Sequence, residues 1–292
     1  MAEATATVTV LNTEQLVNDT LATIDRERER EIVARRYGLF ERKETLEQIG
    51  ELLGITRERV RQLEKSVVTK LKSTAEQGEL EHLPAFQAAV STELEKLGGI
   101  ARVSELATIF GDNNRIEQAR LAFLSSLCPE LSVVDDDDNF FHSVAIRAQF
   151  EAPAAKAAVE KIIAAIKKLG EPSDVDAVAK EASMTNAKQV SALASTSKLL
   201  ATLNDRWGLV KWPMVNPKNI RDKIYVILKE HGKHMHFNEI AAAIKDSDFK
   251  RKDVTTQAIH NELIKDKRFV LIGRGIYALK EWGYEKGTVA DI

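Results

Sequence analysis

The chain has 292 residues, room for two to four small domains, and its 44% hydrophobic and 29% charged residues describe a globular protein. Its single cysteine, Cys128, excludes an internal disulfide and a thiolate metal cluster. No run approaches the roughly 18 apolar residues of a membrane span, and the N-terminus lacks a basic-then-apolar signal pattern.

The expected location is therefore cytoplasmic, with no membrane partner. The formal charge of −2 hides an asymmetry. Lys plus Arg against Asp plus Glu is 13 against 13 over residues 1–75, 14 against 20 over 76–216, and 14 against 9 over 217–284. An acidic middle thus precedes a basic C-terminal segment.

Residues 1–11, mostly Ala, Thr and Val, read as a loose tail. Asn12 with Gln15 resembles a capping pair opening a helix through about Thr23. A second helix begins near Asp25 and interleaves Arg26, Arg28, Arg30, Arg35 and Arg36 with Glu27, Glu29 and Glu31; alone, such a run is as readily a solvated, ion-paired face. Leu46, Ile49 and Leu53 recur at helical spacing, Gly54-Ile55 breaks the pattern, and Thr56 restarts it as an N-cap.

The helix after Thr56 separates two faces. At about 100° per residue, Val60, Leu63, Val67 and Leu71 fall within an arc of roughly 80°. Arg57, Glu58, Arg61, Gln62 and Lys65 fall on an arc of roughly 140° on the other side. Donors and acceptors crowded into the first two turns suit base edges in a major groove, although a solvated charged face has the same pattern. This helix is expected to end near Thr74, with Gln77-Gly78 as a linker.

Residues 21–39 (Leu-Ala-Thr-Ile-Asp-Arg-Glu-Arg-Glu-Arg through Tyr-Gly-Leu), Thr45-Leu-Glu-Gln-Ile-Gly50 and Ile55-Thr-Arg-Glu-Arg-Val-Arg-Gln-Leu-Glu64 together resemble the fourth conserved region of primary bacterial sigma factors. The resemblance covers about residues 20–75 and implies reading of the −35 element of double-stranded promoter DNA and packing on the β flap of core RNA polymerase. By position it implies base contacts for Arg57, Glu58 and Gln62. Arg28, Arg36, Thr56, Arg59 and Arg61 would lie near phosphates, and Lys65 shares that face. A complete sigma factor also carries an upstream region that grips polymerase and melts the −10 element. About 20 residues precede the match, so the expectation is an accessory regulator that does not open promoters alone.

Beyond residue 78 the chain repeats itself. Apolar-periodic helices end at Leu97-Gly98, Leu169-Gly170 and His231-Gly232, as left-handed C-caps require. Each is followed by a short helix (Val103–Phe110, Val175–Ala182, Phe237–Ile244) and a second one (Arg115–Cys128, Ala187–Ser195, Thr255–Ile264). Each repeat closes with two short apolar runs around a polar turn. These are 131–134 with Phe140-Phe141 around Asp135–Asn139, 199–203 with 207–210 around Asn204–Arg206, and 269–272 with 276–279 around Gly273–Gly275. The expected fold class is mainly α: a helix-turn-helix domain followed by three tandem winged-helix-like modules with short β-hairpins. The expected boundaries are 1–19 (lead-in), 20–76 (helix-turn-helix), 80–147, 153–213 and 217–284.

The modules differ chemically. Asp135–Asp138 would repel phosphate and reads as a solvated loop, while Trp207 and Trp212 read as packing for the second hairpin. Both middle modules read as spacers or protein-docking units. The segments 224–228, 236–244, 260–270 and Gly273-Arg-Gly-Ile-Tyr-Ala-Leu279 through Tyr284 resemble the HARE-HTH domain. That winged helix occurs in the delta subunit of bacterial RNA polymerase and in chromatin and restriction proteins, and implies binding to DNA or to polymerase. Lys265, Lys267, Arg268 and Arg274 form a candidate second basic surface; Phe269, Tyr277 and Trp282 read as core.

No phosphate-binding loop, nucleotide-binding glycine pattern or nucleophile elbow occurs. His234 and His236 lack partners at ligand spacing. The expectation is a binding protein that is no enzyme, with no cofactor, metal or small-molecule ligand. An alternative remains, a delta-like polymerase- or sigma-binding protein whose helix-turn-helix never touches DNA.

Overall fold

Asn12 opens α1 (Thr13–Ala22) by accepting from the Gln15 amide at 3.1 Å. The Gln15 side chain reaches Asp19 instead of returning to Asn12, so the expected reciprocal pair is only half made. α2 (Glu27–Tyr37) starts two residues after Asp25, because Arg26 is still extended, and stops at left-handed Gly38. α3 (Leu46–Leu53) and α4 (Arg57–Glu76) complete the helix-turn-helix, α4 running two residues past Thr74. The computed structural model describes residues 10–285 and is mainly helical, with small antiparallel sheets of short strands.

Three winged-helix-like repeats follow. The first comprises α5 (Leu83–Leu97), β1 (Ile100–Arg102), α6 (Val103–Phe110), α7 (Arg115–Leu127), β2 (Leu131–Val134) and β3 (Ser143–Ile146), with sheet order β1-β3-β2. The second comprises α8 (Ala152–Leu169), α9 (Val175–Glu181), α10 (Ala187–Ser195) and the β4–β5 hairpin (Leu200–Leu203, Arg206–Leu209). In the third, α11 (Ile220–His231), β6 (Met235–His236), α12 (Phe237–Asp246) and α13 (Thr256–Lys265) precede β7 (Phe269–Gly273) and β8 (Ile276–Leu279). Gly98, Gly170 and Gly232 all have the positive φ expected of helix stops.

The hairpins differ from expectation in detail. Phe140-Phe141 is not the return strand of the first, since β3 starts at Ser143. Phe140 instead bridges Ser197, and Phe141 donates its amide to Thr196 O at 2.9 Å while Arg102 and Lys198 sit over its ring. The aspartate loop is likewise pinned, with Lys198 on Asp136 at 2.9 Å and Lys156 on Asp137 at 3.4 Å. The second and third hairpins have two-residue turns, Asn204-Asp205 and Arg274-Gly275; Arg206 and Gly273 belong to strands. Asn204 and Asp205 both carry positive φ (52° and 59°), as a hairpin turn matching strand twist requires. Strands β1 and β6 were not anticipated, because two or three residues carry too little alternation to read.

By contacts the described residues divide into two compact units, 10–162 with 184–198 and 163–183 with 199–285. The second repeat is divided between them, α10 grouping with the first unit and α9 with the β4–β5 hairpin in the second. In the first unit one core joins the helix-turn-helix to the first winged-helix-like repeat: Val33, Leu39, Val67 and Leu71 share it with Leu121, Phe123 and Leu124 of α7. Arg120, 8% exposed, donates to Leu39 O at 2.8 Å and to Glu117 at 3.2 Å. Glu117 also accepts from the Thr13 hydroxyl at 2.6 Å. The second unit has its own core around Ile224, Leu228, Ile240, Ile259 and Leu279.

Two glycines make the helix-turn-helix turn. Gly54 lies at φ +68° with open space around it, whereas a Cβ on Gly50 would meet Ile55 O at 2.7 Å. Gly54→Ala should cost about 1 kcal/mol of unfolding free energy, the left-handed penalty alone, and Gly50→Ala at least twice that, in urea titrations. Arg120→Met strands Leu39 O, takes one of its donors from Glu117, and should cost about 2 kcal/mol in the same assay. Burial pushes the Cys128 thiol up to about 12, and its sulfur donates to Leu124 O at 3.3 Å. A thiol reagent at pH 8 should therefore leave the native chain unlabelled and modify the urea-unfolded chain fully.

Candidate nucleic-acid interface

Local capping sets the geometry. Thr45 accepts from the Gln48 amide at 3.2 Å while Gln48 Oε1 accepts from the Thr45 amide at 2.9 Å, a closed capping box on α3. Thr56 accepts from the Arg59 amide at 3.1 Å, so α4 begins at Arg57 as its spacing implies. Ile32, Ile49 and Val60, all fully buried, hold α2, α3 and α4 together. Val67 and Leu71 continue the buried side of α4.

The opposite side is open. Arg57, Glu58, Arg59, Arg61, Gln62 and Lys65 are all exposed over the first turns of α4. Two arginines of this face already have partners. Arg57 pairs with Glu47 of α3 at 2.7 Å, and Arg61 makes a two-pronged contact with Glu58 at 2.9 and 2.7 Å. The Arg61 hydrogen bonds hold the Glu58 carboxyl below its usual range and raise the Arg61 guanidinium. Arg59 and Lys65 make no ion pair among the described residues. Thr56 spends its acceptor on the cap and keeps its hydroxyl proton.

Arg28 and Arg36 lie on α2. Arg28 is exposed and contacts Leu53 O at 3.4 Å. Arg36 is half-buried, with Glu64 of α4 at 3.3 Å and Glu44 O at 3.4 Å. Beside it burial pushes the Tyr37 hydroxyl up to about 12. In the alternating α2 run Arg35 is neutralised by Glu31 and Glu44. Glu47 was not legible as a site residue, because its partner Arg57 lies ten positions on, across the turn.

In the second unit the four basic residues do not gather. Lys265 ends α13, and Lys267 and Arg268 precede β7 at the base of its hairpin, where Phe269 pairs with Leu279. Arg274 occupies the tip beyond the Gly273–Ile276 pair, five residues past Phe269 and so about 16 Å from it at 3.3 Å per strand residue. Arg268 is also committed, to Asp266 at 2.9 Å and Asp222 at 3.2 Å, with its guanidinium over Tyr225. His236 caps α12, its Nδ1 accepting from the Asn238 amide at 3.1 Å.

Residues 26–73 match the family model described as Sigma-70, region 4. Sequence similarity to curated proteins falls in short stretches. RNA polymerase sigma factor RpoD of Helicobacter pylori is 51% identical over 49 residues, 16% of this chain and 7% of that protein. RNA polymerase sigma factor SigA1 of Synechococcus elongatus is 50% identical over 46 residues, 15% of this chain and 12% of that protein. RNA polymerase sigma factor sigB of Arabidopsis thaliana is 39% identical over 62 residues, 21% of this chain and 11% of that protein. The chain thus spans about a tenth of the length of these relatives, and no solved structure matches it. The helix-turn-helix of the first unit is a sigma-70 region 4 domain over residues 26–73.

Proposed function

We propose that the protein binds double-stranded promoter DNA sequence-specifically through α4, in the manner of −35 recognition, and couples this to RNA polymerase as an accessory regulator of initiation. The observation that carries the reading is the exposed face Arg57, Glu58, Arg59, Arg61, Gln62 and Lys65 at the start of α4, in a region 4 domain and opposite fully buried Val60. Arg57, Glu58 and Gln62 are assigned to base edges. Arg28, Arg36, Thr56, Arg59, Arg61 and Lys65 are assigned to phosphates, which set affinity and its salt dependence but not sequence.

Residues 20–76 form the reading domain in this proposal. The segments 80–147 and 153–213 serve as spacers or docking modules, and 217–284 acts as a HARE-type winged helix on DNA or polymerase. The β flap of core polymerase is the proposed partner. It would have to engage surface other than the side of α2 and α4 carrying Val33, Val67 and Leu71, which lies in the chain's own core.

One observation favours the second reading, a polymerase- or sigma-binding protein without DNA readout. Arg57 and Arg61 are both paired inside the domain, so less free positive charge faces outward than the residue count suggests. A gel shift on promoter fragments beside a pull-down on core polymerase separates the two; polymerase retention without DNA affinity would select the second. In binding titrations Arg57→Ala should relax base choice by about 1–3 kcal/mol at one position. Arg61→Ala should weaken every sequence alike and lower the salt slope by about 1. Equal losses on all sequences for both variants would refute the assignment.

A further inference from the structure

The second unit contains a recess that the DNA-reading proposal does not use. It has a volume of about 560 Å³ and is lined by Pro213, Tyr225, Lys267, Arg268, Lys280 and Glu281. That size suits one or two side chains of a ligand. Tyr225 and Pro213 supply the apolar wall. Of the four charged lining residues, three are cations and one is an acid.

The charges divide into engaged and uncommitted groups. Glu281 accepts from Lys229 at 2.6 Å and from the Tyr225 hydroxyl at 3.1 Å, and these contacts hold its carboxyl below its usual range. Arg268 is bound to Asp266 and Asp222. Lys267 and Lys280 are exposed, and among the described residues neither ammonium group makes an ion pair or hydrogen bond. The backbone brings them together, since Lys280 donates its amide to Arg268 O at 2.8 Å, next to Lys267 in the chain. An apolar slot is thus flanked by two uncommitted cations, and its one acid is already satisfied.

We propose that this recess is a docking site for an acidic peptide segment, taking one apolar or aromatic side chain against Tyr225 and Pro213 and carboxylates on Lys267 and Lys280. Charge complementarity selects the occupant: lysines at the rim attract carboxylates, and the apolar wall rewards a buried side chain that a bare phosphate chain lacks. Single-stranded nucleic acid fits less well. Binding it relies on aromatic faces for successive bases, whereas the lining of the recess offers one ring, enough for a single side chain. The site lies at the base of the β7–β8 hairpin, away from Arg274 at the tip, and does not depend on the role of α4.

The test uses the full chain and fluorescence anisotropy at low salt. The probes are a fluorescein-labelled peptide of alternating Glu and Asp around one central Trp, the same peptide with Gly in place of Trp, and a labelled thymidine 12-mer. The Trp peptide should bind the wild-type chain about tenfold more tightly than the Gly peptide. The double variant Lys267→Glu with Lys280→Glu should lose about tenfold or more in affinity, while Lys267→Arg with Lys280→Arg retains binding. Arg57→Ala should leave peptide binding unchanged whatever it does to DNA. Unchanged thermal melting of the lysine variants shows that any loss is local. The proposal is overturned by no peptide binding, by equal affinity in the Glu and Arg double variants, or by a thymidine 12-mer that binds through these lysines and displaces the peptide.

Discussion

The first unit depends on the burial of one side of a helix-turn-helix that is too small to bury it alone. Within the three helices only Ile32, Ile49 and Val60 form a closed cluster. The other buried apolar residues of α2 and α4, Val33, Val67 and Leu71, share a core with α7. A helical domain of about 50 residues buries a smaller fraction of its surface than a larger domain does and is marginal in isolation. Here α7 of the first winged-helix-like repeat supplies the missing layer, with Phe123 against Tyr37 at 5.0 Å between ring centroids. Arg120 then ties that layer to the turn after α2 through Leu39 O, and Glu117 ties it to α1 through Thr13.

This burial decides which surface is left for recognition. With its apolar side inside the unit, the helix-turn-helix offers outward the polar side of α4 and the exposed part of α3. On that surface charge is organised in pairs, Arg57 with Glu47 and Arg61 with Glu58. Exposed pairs of this kind are weak, so a phosphate or a base edge can exchange for the carboxylate at small cost. Until then each pair holds its guanidinium in a defined place. The same economy governs the aspartate loop, where Lys156 and Lys198 neutralise two carboxylates.

What was legible in the sequence was local. Thr45 and Thr56 cap helices because each hydroxyl needs only an amide three residues on. Gly98, Gly170 and Gly232 end helices because a left-handed residue there relieves strain that any side chain would add. The two faces of α4 follow from its 3.6-residue period, and the run from Thr56 to Gln62 sufficed to suggest its kinship. Hairpins with two-residue turns were nearly placed. The first was misjudged because its loop spans eight residues and two phenylalanines imitate a strand.

Tertiary structure alone decided which groups meet across long separations. Leu39 and Arg120 lie 81 residues apart, Lys198 and Asp137 61, and no period or cap encodes either pairing. The sequence held the inventory of charge, thirteen cations against thirteen acids over residues 1–75, but not which cations are spent internally. It put Lys267, Arg268 and Arg274 in one basic stretch; the β7–β8 register sends Arg274 to the far end of a hairpin and brings Lys280 to the others. The reason is physical: helix periods and caps act within one turn of chain, while burial and charge pairing depend on distance in space. The sequence by itself therefore determined the helices, their stops and the exposed polar face of α4, and the folded core determined what that face is braced against and which of its charges remain free.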